Sequence, residues 1–363
     1  MSDISMEKNI IDTIPLETKK ENGNSEALVG EYRVGKKLGS GSFGKVVLVV
    51  RLEDEKEYAM KIIKKDLAIE KKQIENLRRE FAVMQLLVFQ TSQELCFVMD
   101  YENKGNFLQL MLRIAKMEND VARFYSAELF CGIKYLHGIN IIHQDIKLSN
   151  LLLTKSGHLK ICDFGLSYPD TTAEMTFTRC CGSLLYLAPE KLLRKPYTRS
   201  ADWWAFGAII MNFLGSGGPF EREKSIEIMV AISHLDKIEV VDLPEDVFDL
   251  TDKIFTYEED RLTQDQIQSH RYFDTVDWES VENQRIPVEN VFDLDACTAT
   301  PSRSDKSKDD LVYTGTEETE KMFEMFTYKR NLRAYCNQCF DFYVLYNSSL
   351  FPIIIFILID ITC

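Results

Sequence analysis

The strongest constraint on this chain is a set of polar side chains placed between short apolar runs at residues 143–165. The runs at 141–142, 151–153 and 159–161 are apolar, and the turn-type sequence 154–157 separates the last two. Runs of this length predict short buried strands joined by a turn. The polar groups would then lie on tight connections at strand ends, where a rigid scaffold can orient them.

Four side chains in this stretch have the chemistry that phosphoryl transfer requires. Asp163 and Asn150 offer hard oxygen ligands that suit Mg²⁺. Asp145 is suited to orient and deprotonate a hydroxyl group, and Lys147 to neutralise a phosphoryl group during transfer. The alternative is that these polar groups merely solvate turns. The motifs elsewhere in the chain favour the first interpretation.

Composition and charge exclude several classes of function. The 363-residue chain has room for one large two-lobed domain or two ordinary domains. Its net charge of −14 argues against general binding to nucleic acid or anionic lipid. Scattered cysteines, without an N-terminal apolar run of signal-peptide type, predict free thiols and a cytoplasmic location. The lone C-x-x-C at Cys336 and Cys339 is interpreted as ordinary cysteine rather than a metal site.

A glycine-rich segment with the pattern G-x-G-x-x-G occupies residues 39–44. A dinucleotide site would need a helix directly after these glycines. Here the β-rich sequence 46–50 follows instead. The pattern therefore favours a glycine-rich hairpin folded over phosphate groups.

One amine lies inside an apolar strand sequence at Lys61, within residues 58–63. A buried, unpaired charge is costly, so this lysine needs a partner. Residues 70–87 are apolar at helical spacing and carry Glu80, which we predict to be that partner. The alternative for Glu80 is an ordinary solvated position on the helix.

The combined segments resemble the catalytic domain of protein kinases over residues 31–328. The stretch 143–150 is similar to the catalytic loop of that family, and 163–165 to its metal-binding loop. Strings elsewhere resemble the AGC group, the relatives of protein kinases A, B and C: Phe124-Tyr125-Ser126-Ala127-Glu128, Ala201-Asp202-Trp203-Trp204-Ala205-Phe206-Gly207, His270-Arg271-Tyr272-Phe273 and Phe323-Glu324-Met325-Phe326-Thr327-Tyr328. The resemblance implies an α+β, bilobal protein-kinase fold, with a small β-rich lobe carrying one helix and a larger, mainly helical lobe.

The resemblance also implies an ATP-dependent protein serine/threonine kinase, acting on protein substrates and binding no nucleic acid. Ser183, where the group usually has threonine, together with Lys147 points to Ser/Thr rather than Tyr substrates. The implied catalytic residues are Asp145, Lys147, Lys61 and Glu80, and the implied ligands of Mg²⁺, or of Mn²⁺ in its place, are Asn150 and Asp163. The implied ATP-binding residues are Leu38, Gly39, Ser40, Gly41, Ser42, Phe43, Gly44, Lys45, Val46, Ala59, Lys61, Met99, Asp100, Tyr101 and Leu152. The alternative is a nucleotide-binding pseudokinase or scaffold with the same fold.

The predicted domain boundaries follow from the same resemblance and from composition. A flexible leader at 1–30 precedes a kinase domain at 31–273, with a small lobe at about 31–99 and a large lobe at about 102–273. An AGC-type extension at 274–330 carries the hydrophobic motif 323–328, and an apolar tail occupies 331–363. Within the large lobe, 202–214 is predicted to form a buried helix, and Arg261 is the implied partner of Glu190.

Two residues near the catalytic loop depart from the family pattern. Gln144 stands where most relatives have an arginine, whose charge is neutralised by a phosphothreonine on the activation segment. In register with the Cys181-Gly182 string, that phosphothreonine position falls on Arg179, which cannot be phosphorylated. The departures predict activity that does not depend on phosphorylation of this segment, with Thr178 as the alternative site.

Other departures affect the small lobe and substrate preference. Between Glu80 and Met99 the chain is shorter than the family pattern, and the helix–strand link after Leu87 is largely absent. Either the small lobe is trimmed here or the sequence derives from an imperfect gene model. Arg-directed AGC kinases tend to carry acids at three places that are neutral here, namely Asn106, Ser149 and Asn212. The sequence therefore predicts a weak preference for upstream arginine.

The tail beyond Arg333 is apolar but interrupted by Asp341, Asn347 and Pro352. A membrane-spanning helix needs about 20 apolar residues. The favoured interpretation is a packed or spuriously translated tail. A C-terminal membrane anchor in 340–363 is the alternative, and it is the only route to a membrane that the sequence offers.

Overall fold

The computed structural model divides the chain into two compact units. The described part of the first unit comprises residues up to 77 and from 87 to 101, and that of the second comprises Glu80 and residues from 102 to 288. The structure describes residues 16–21, 24–40, 44–70, 74, 77, 80, 87–90, 93–216, 220, 222–237 and 243–288. Several sequence predictions therefore lie wholly or partly outside the described residues: the leader before residue 16, the tip of the glycine-rich loop at 41–43, most of the helix 70–87, the extension after residue 288 with its hydrophobic motif 323–328, and the tail 331–363.

Antiparallel strands make up most of the described part of the first unit. The strands are β1 Leu16–Glu21, β2 Asn24–Val29, β3 Tyr32–Ser40, β4 Gly44–Arg51, β5 Glu57–Lys64, β6 Leu87–Gln90 and β7 Glu94–Asp100. These described strands form one sheet in the order β1-β2-β3-β4-β5-β7-β6. A short helix, α1 Lys65–Glu70, follows β5 directly. Of the predicted helix 70–87, the described residues Ile74, Leu77 and Glu80 are helical and buried.

Alternation along the strands gives this sheet a buried apolar cluster. In β4, Val47 and Val49 are buried, whereas Val46 and Leu48 are only half-buried. Successive side chains of a strand point to opposite faces, so these two valines share one face. The cluster is completed on other strands by Val29, Tyr32, Met60, Ile62, Cys96 and Val98. Burying each aliphatic side chain of this kind contributes about 1.5–3 kcal/mol.

Two strands lie in the segment that the sequence predicts to be a flexible leader. β1 and β2 pair antiparallel, with Leu16 opposite Val29, and β2 continues onto β3 through the pair Leu28 and Arg33. Leu28 and Val29 are buried. Strands pair through main-chain groups, and this pairing is compatible with polar side chains. The polar composition of this segment therefore gave no sign of its strands.

A strand begins at Leu87, so the shortened segment still carries an edge strand of the sheet. β6 pairs antiparallel with β7, from Leu87 opposite Val98 to Gln90 opposite Leu95. A hairpin needs a connection of only two to five residues, and the link between β6 and β7 has that length. The chain is therefore shortened here without loss of the edge strand.

Helices dominate the described part of the second unit. They are α2 Phe107–Ile114, α3 Asn119–Gly138, α4 Pro189–Leu192, α5 Ser200–Phe213, α6 Ser225–His234, α7 Glu245–Ile254, α8 Gln264–Gln268 and α9 Trp278–Glu282. Short 3₁₀ turns occupy Leu148–Asn150, Leu184–Tyr186 and Arg271–Phe273. Together with the β-rich first unit, this confirms the predicted α+β class. Among the described residues, none of the helices is both long and apolar enough to cross a bilayer.

The predicted pair of short strands is confirmed in the second unit. β8 Leu151–Leu153 pairs antiparallel with β9 Leu159–Ile161, and Leu151 lies opposite Ile161. Leu151, Leu153, Leu159 and Ile161 are buried. The apolar character of both strands thus fixes the hairpin in the core, with the polar residues 145–150 at one end of it.

The helix α5 is the buried helix that the sequence predicts for the second unit. Its described residues are buried almost throughout, including Trp203, Trp204 and Phe206. Gly207 lets this helix approach α7 closely, because a Cβ there would lie 2.7 Å from Ile254 Cγ2. Packing of this kind places the first turn of α5, and with it Asp202, inside the unit.

Gly207→Ala is expected to lower the free energy of unfolding by about 1–3 kcal/mol, because an extra methyl group in a packed core forces its neighbours aside. Gly138→Ala is the matched control, since a Cβ there would meet no described atom within 4 Å. Urea unfolding of both variants measures the difference. Equal stabilities would contradict the close packing of α5 on α7.

Candidate active site

A buried carboxylate at the start of α5 fixes the backbone of the 143–150 loop. The two oxygens of Asp202 accept hydrogen bonds from the backbone N–H of His143 and that of Gln144, both at 2.9 Å. His137 Nε2 lies 3.0 Å from the same carboxylate. Burial disfavours the charged form, but the hydrogen bond from His137 and the two backbone donors hold the pKa of Asp202 below its usual range. An ionised acid inside the unit thus holds the loop.

His143 connects this loop to the end of β9. Its Nδ1 accepts a hydrogen bond from the backbone N–H of Asp145 at 3.3 Å, and its Nε2 donates to the carbonyl of Cys162 at 3.1 Å. Burial lowers the pKa of His143, in agreement with a neutral ring that carries its proton on Nε2. The ring also packs on Phe164 at 5.0 Å between centroids. The neutral imidazole therefore acts as a spacer between residues 145 and 162.

Asp145, Lys147 and Asn150 come together as the sequence predicts, and Ser183 joins them. Lys147 Nζ donates to Asp145 Oδ2 at 2.6 Å and to Ser183 Oγ at 2.9 Å, while Ser183 Oγ donates to Asp145 Oδ1 at 3.1 Å. The amide nitrogen of Asn150 donates to the carbonyl oxygen of Asp145 at 2.9 Å and to its Oδ2 at 3.2 Å. These donors fix the orientation of the Asp145 carboxylate. Asp145 as a whole residue is 8% exposed.

Asp163 lies just beyond β9, in a backbone conformation that residues other than glycine rarely adopt. Its φ is +63°, which costs about 1–3 kcal/mol and is typical of functional sites. Glu80, which belongs to the second unit, approaches the same place. A Cβ built on Gly165 would lie 3.4 Å from both Asp163 Oδ1 and Glu80 Oε2. Two carboxylates thus converge on one glycine, an arrangement that favours cations.

The donor set of the second unit fits a hard divalent cation. The amide nitrogen of Asn150 is engaged with Asp145, which leaves its carbonyl oxygen as the atom that a metal would contact. Asp163 supplies a carboxylate. Oxygen ligands of these two kinds are those that Mg²⁺ prefers. The assignment of both residues as metal ligands stays a prediction.

The first unit carries most of the residues predicted to bind the nucleotide. The described ends of the glycine-rich hairpin pair as expected, Gly39 with Val46 and Ser40 with Lys45. A Cβ at Gly44 would lie 1.9 Å from the carbonyl oxygen of Ile62, so the close approach of β4 and β5 requires glycine there. These contacts confirm a strand on each side of the glycines, rather than a helix after them.

The remaining predicted nucleotide residues are distributed over the two units. Lys61 lies in the middle of β5, opposite Val46 on one side and Phe97 on the other. Ala59 lies opposite Met99, and Leu152 lies on β8 of the second unit. Lys61 belongs to the first unit and Glu80 to the second, and their pairing stays a prediction. The described residues at these predicted positions are Leu38, Gly39, Ser40, Gly44, Lys45, Val46, Ala59, Lys61, Met99, Asp100, Tyr101 and Leu152.

Sequence reasoning missed Asp202 as a member of the site. It appeared only within an apolar string, and its two backbone partners are separated from it by 59 and 58 residues. The available signal was an acidic residue in the first turn of an otherwise apolar helix, since burial of such a charge requires donors nearby. Spacing along the chain could not identify those donors.

Arg261 and Glu190 form the predicted ion pair. Arg261 donates from both guanidinium amino groups to Glu190, at 2.7 Å and 3.0 Å. The side chains are 0% and 5% exposed, respectively. The same guanidinium also donates to the carbonyl oxygens of Ile254 and Thr256. The pair therefore joins α4 to the end of α7 inside the second unit.

Comparisons with known proteins agree with this architecture. A family model described as protein kinase domain matches residues 32–273. The chain is 34% identical over 268 residues to a protein kinase C-like protein of Neurospora crassa, covering 69% of this chain and 23% of that protein. It is 33% identical over 284 residues to RAC-beta serine/threonine-protein kinase A of Xenopus laevis, covering 73% of this chain and 58% of that protein. The chain spans less than two thirds of the length of either relative. The chain belongs to the protein kinase family, on the AGC branch that its sequence motifs indicate.

Proposed function

We propose that this chain is an ATP-dependent protein serine/threonine kinase. The observation that carries the proposal is the hydrogen-bonded group formed by Asp145, Lys147, Asn150 and Ser183. In this group both carboxylate oxygens of Asp145 and the ammonium of Lys147 have a hydrogen-bond partner. Membership of the protein kinase family supports it. The alternative of a pseudokinase or scaffold is not favoured, since this group is complete and ordered by Asp202.

The proposed reaction transfers the γ-phosphoryl group of ATP to a substrate hydroxyl. The hydroxyl oxygen forms a bond to the γ-phosphorus, its proton passes to the Asp145 carboxylate, and ADP leaves. Lys147, 2.6 Å from Asp145 Oδ2, supplies positive charge beside the transferred group. Asn150 and Asp163 would hold Mg²⁺, which neutralises phosphate charge when it is bound.

Ser183 supports the assignment to serine and threonine substrates. Its hydroxyl contacts both Asp145 Oδ1 and Lys147 Nζ, so residue 183 lies beside the group that would receive the substrate. A short aliphatic hydroxyl there is a feature that the sequence resemblance associates with Ser/Thr kinases. Comparing phosphate transfer to serine- or threonine-containing substrates with transfer to tyrosine-containing substrates tests the assignment.

We further propose a cytoplasmic location. The described cysteines Cys96, Cys131, Cys162, Cys180 and Cys181 are free thiols. Burial raises the pKa of Cys96 to about 12, so this thiol is inert. Free thiols are usual in a reducing compartment.

The direct test is transfer of labelled phosphate from ATP to mixed protein substrates, comparing the wild type with Asp163→Ala. ATP binding is measured separately by calorimetry. We expect labelled serine and threonine with the wild type, and background labelling with Asp163→Ala. A wild type that binds ATP but transfers no more phosphate than the variant would support the scaffold alternative instead.

Preference for arginine upstream of the phosphoacceptor is expected to be weak. Asn106 caps α2, accepting a hydrogen bond from Gln109 N at 2.9 Å, and Asn212 donates to the carbonyl of Ala208 at 2.6 Å. Ser149 is also uncharged. A charge-assisted contact to arginine needs a carboxylate and is roughly twice as strong as a neutral one. A peptide-library screen measures the preference at each upstream position.

Asn106→Asp is the matched variant for this screen. Aspartate caps a helix as well as asparagine does, so α2 should keep its stability while gaining a charge. We expect preference for upstream arginine to rise in the variant. A dominant arginine three residues before the phosphoacceptor in the wild type would show the inference to be wrong.

A further inference from the structure

Gln144 is held tightly at the position immediately before the proposed catalytic base. Its backbone N–H donates to Asp202 at 2.9 Å, and its carbonyl oxygen accepts from Lys191 Nζ at 3.0 Å. Its φ of +69° is in the left-handed region, which a residue of this kind keeps only when its surroundings impose it. Because Gln144 and Asp145 are adjacent in the chain, a displacement of Gln144 would also move Asp145.

The side chain of Gln144 reaches two residues that are remote in sequence. Its Oε1 lies 2.9 Å from Cys181 Sγ and 3.1 Å from the hydroxyl of Tyr197. That hydroxyl also lies 2.8 Å from the carbonyl oxygen of Arg179. Gln144 is 4% exposed and Tyr197 is 0% exposed, so their mutual contact is shielded from water, while Cys181 and Arg179 are half-buried. One amide thus connects the loop of Asp145 to residues 179–181.

The proton inventory of this cluster indicates the direction of its hydrogen bonds. Tyr197 has one proton and two acceptors nearby, while Gln144 Nε2 is buried with no partner among the described residues. Amide oxygen and nitrogen are assigned from the surrounding network, so the two can be exchanged. With the amide reversed, Gln144 donates to the Tyr197 hydroxyl, which donates to the carbonyl of Arg179. Both orientations join the same three residues.

The cation beside the cluster, Lys191, already has an acceptor in the carbonyl oxygen of Gln144 at 3.0 Å, so the cluster does not require a phosphate. Burial raises the pKa of the Tyr197 phenol, so it remains a neutral donor at every physiological pH. The amide of Gln144 is neutral as well. Residue 179 contributes its main-chain carbonyl, which is independent of side-chain modification. The contacts therefore persist whether or not a neighbouring residue is phosphorylated.

We propose that Tyr197 and Cys181 are positioning residues that act through Gln144 to hold the 179–183 segment against the proposed catalytic base. The segment is then attached to the loop at Gln144 and at Ser183, whose hydroxyl donates to Asp145 at 3.1 Å and accepts from Lys147 at 2.9 Å. Hydrogen bonds of a neutral amide and a neutral phenol thus hold this segment to the loop. This inference rests on the proposed kinase function, and it adds the residues that replace phosphate control.

Tyr197→Phe, compared with Tyr125→Phe, is the first test. Both tyrosines are 0% exposed. Tyr125→Phe loses one hydroxyl contact, to the carbonyl of Gly157 at 3.1 Å, whereas Tyr197→Phe loses the contacts with Gln144 and with the carbonyl of Arg179. We expect Tyr197→Phe to lower kcat by about fivefold to tenfold, the effect of losing the hydrogen bond that joins Tyr197 to Gln144. KM for ATP should stay within about twofold of the wild-type value. The attachment acts on the transfer step and not on ATP binding, so its loss should lower kcat only. Tyr125→Phe should change kcat less than twofold by the same reasoning.

Cys181 supplies a second test that does not depend on the folding of Tyr197→Phe. Cys181→Ala removes the contact with Gln144, whereas Cys181→Ser keeps a hydrogen-bonding group at the same place. We expect the alanine variant to lose kcat and the serine variant to retain it. Phosphatase treatment and Thr178→Ala should leave wild-type activity unchanged. A large loss on either treatment would overturn the proposal, as would equal kcat in Tyr197→Phe and Tyr125→Phe.

Hydrogen exchange at residues 179–183 separates this proposal from the kinase function itself. Exchange there should rise in Tyr197→Phe and not in Tyr125→Phe, whether or not phosphate is transferred. If the wild type transferred no phosphate but exchange still rose in Tyr197→Phe and not in Tyr125→Phe, the proposed kinase function would be excluded. The proposed attachment would still be supported. Unchanged exchange in Tyr197→Phe, in an active enzyme, would overturn the attachment alone.

Discussion

Asp145→Asn is expected to lower kcat by about 10²–10⁴-fold, the usual contribution of a positioned general base. Asparagine has the same size as aspartate, and its carbonyl oxygen can still accept from Lys147 or Ser183. It cannot take the proton of the substrate hydroxyl at neutral pH. KM for ATP should change little, since Asp145 acts on the substrate hydroxyl. Steady-state kinetics with a serine-containing protein substrate measures both quantities.

The control for this variant is Asp265→Asn, the same replacement on an exposed position of α8. Thermal unfolding of both variants establishes that the fold is kept. Activity within about tenfold of the wild type in Asp145→Asn would exclude Asp145 as the base, because removal of a base costs more than that. Loss of activity accompanied by a collapse of stability would instead assign Asp145 a structural role.

Arg261→Ala is expected to lower the free energy of unfolding by about 3–5 kcal/mol, the usual cost of breaking a buried ion pair by removing one partner. The variant leaves Glu190, whose side chain is 5% exposed, without its cation. It also removes the donors to Ile254 and Thr256, and a guanidinium that lies 5.2 Å from the centre of a Trp204 ring. Urea unfolding monitored by tryptophan fluorescence measures the change.

Two comparisons sharpen this measurement. Arg285→Ala breaks an exposed pair with Glu279, whose side chains are 60% and 73% exposed, and should cost at most about 1 kcal/mol. The double variant Arg261→Met with Glu190→Leu should be more stable than Arg261→Ala, because it leaves no unpaired charge. A double variant as unstable as the single one would assign the loss to packing of the guanidinium rather than to charge.

The sequence predicts the part of the site that is local in the chain. Asp145, Lys147 and Asn150 lie within six consecutive positions, and the apolar strands on either side constrain where they lie. The chemistry of the residue types then suffices to group them. Residues that reach the site from elsewhere were beyond this reasoning. Tyr197 and Cys181 contact Gln144 across 53 and 37 residues, and only the packing of the second unit brings them there.

The fold was predicted best where side-chain chemistry decides the structure. The hydrophobicity of α5 and the alternation in β4 both indicate burial directly. β1 was missed for a physical reason, since an edge strand is held largely by main-chain hydrogen bonds that composition does not reveal. The pairing of Leu87 with Val98 shows that a strand can survive when the chain leading to it is shortened.

The neutral ring of His143 links unfolding to proton uptake. Its pKa lies below the ordinary value of 6.5 in the folded protein, because burial disfavours the charged imidazolium. The unfolded chain therefore binds more protons than the folded one as the pH falls below that value, and stability decreases there. Above pH 6.5 the contribution of His143 is fully present. Calorimetry in buffers of different ionisation enthalpy measures the net proton uptake on unfolding, to which His143 contributes below neutral pH.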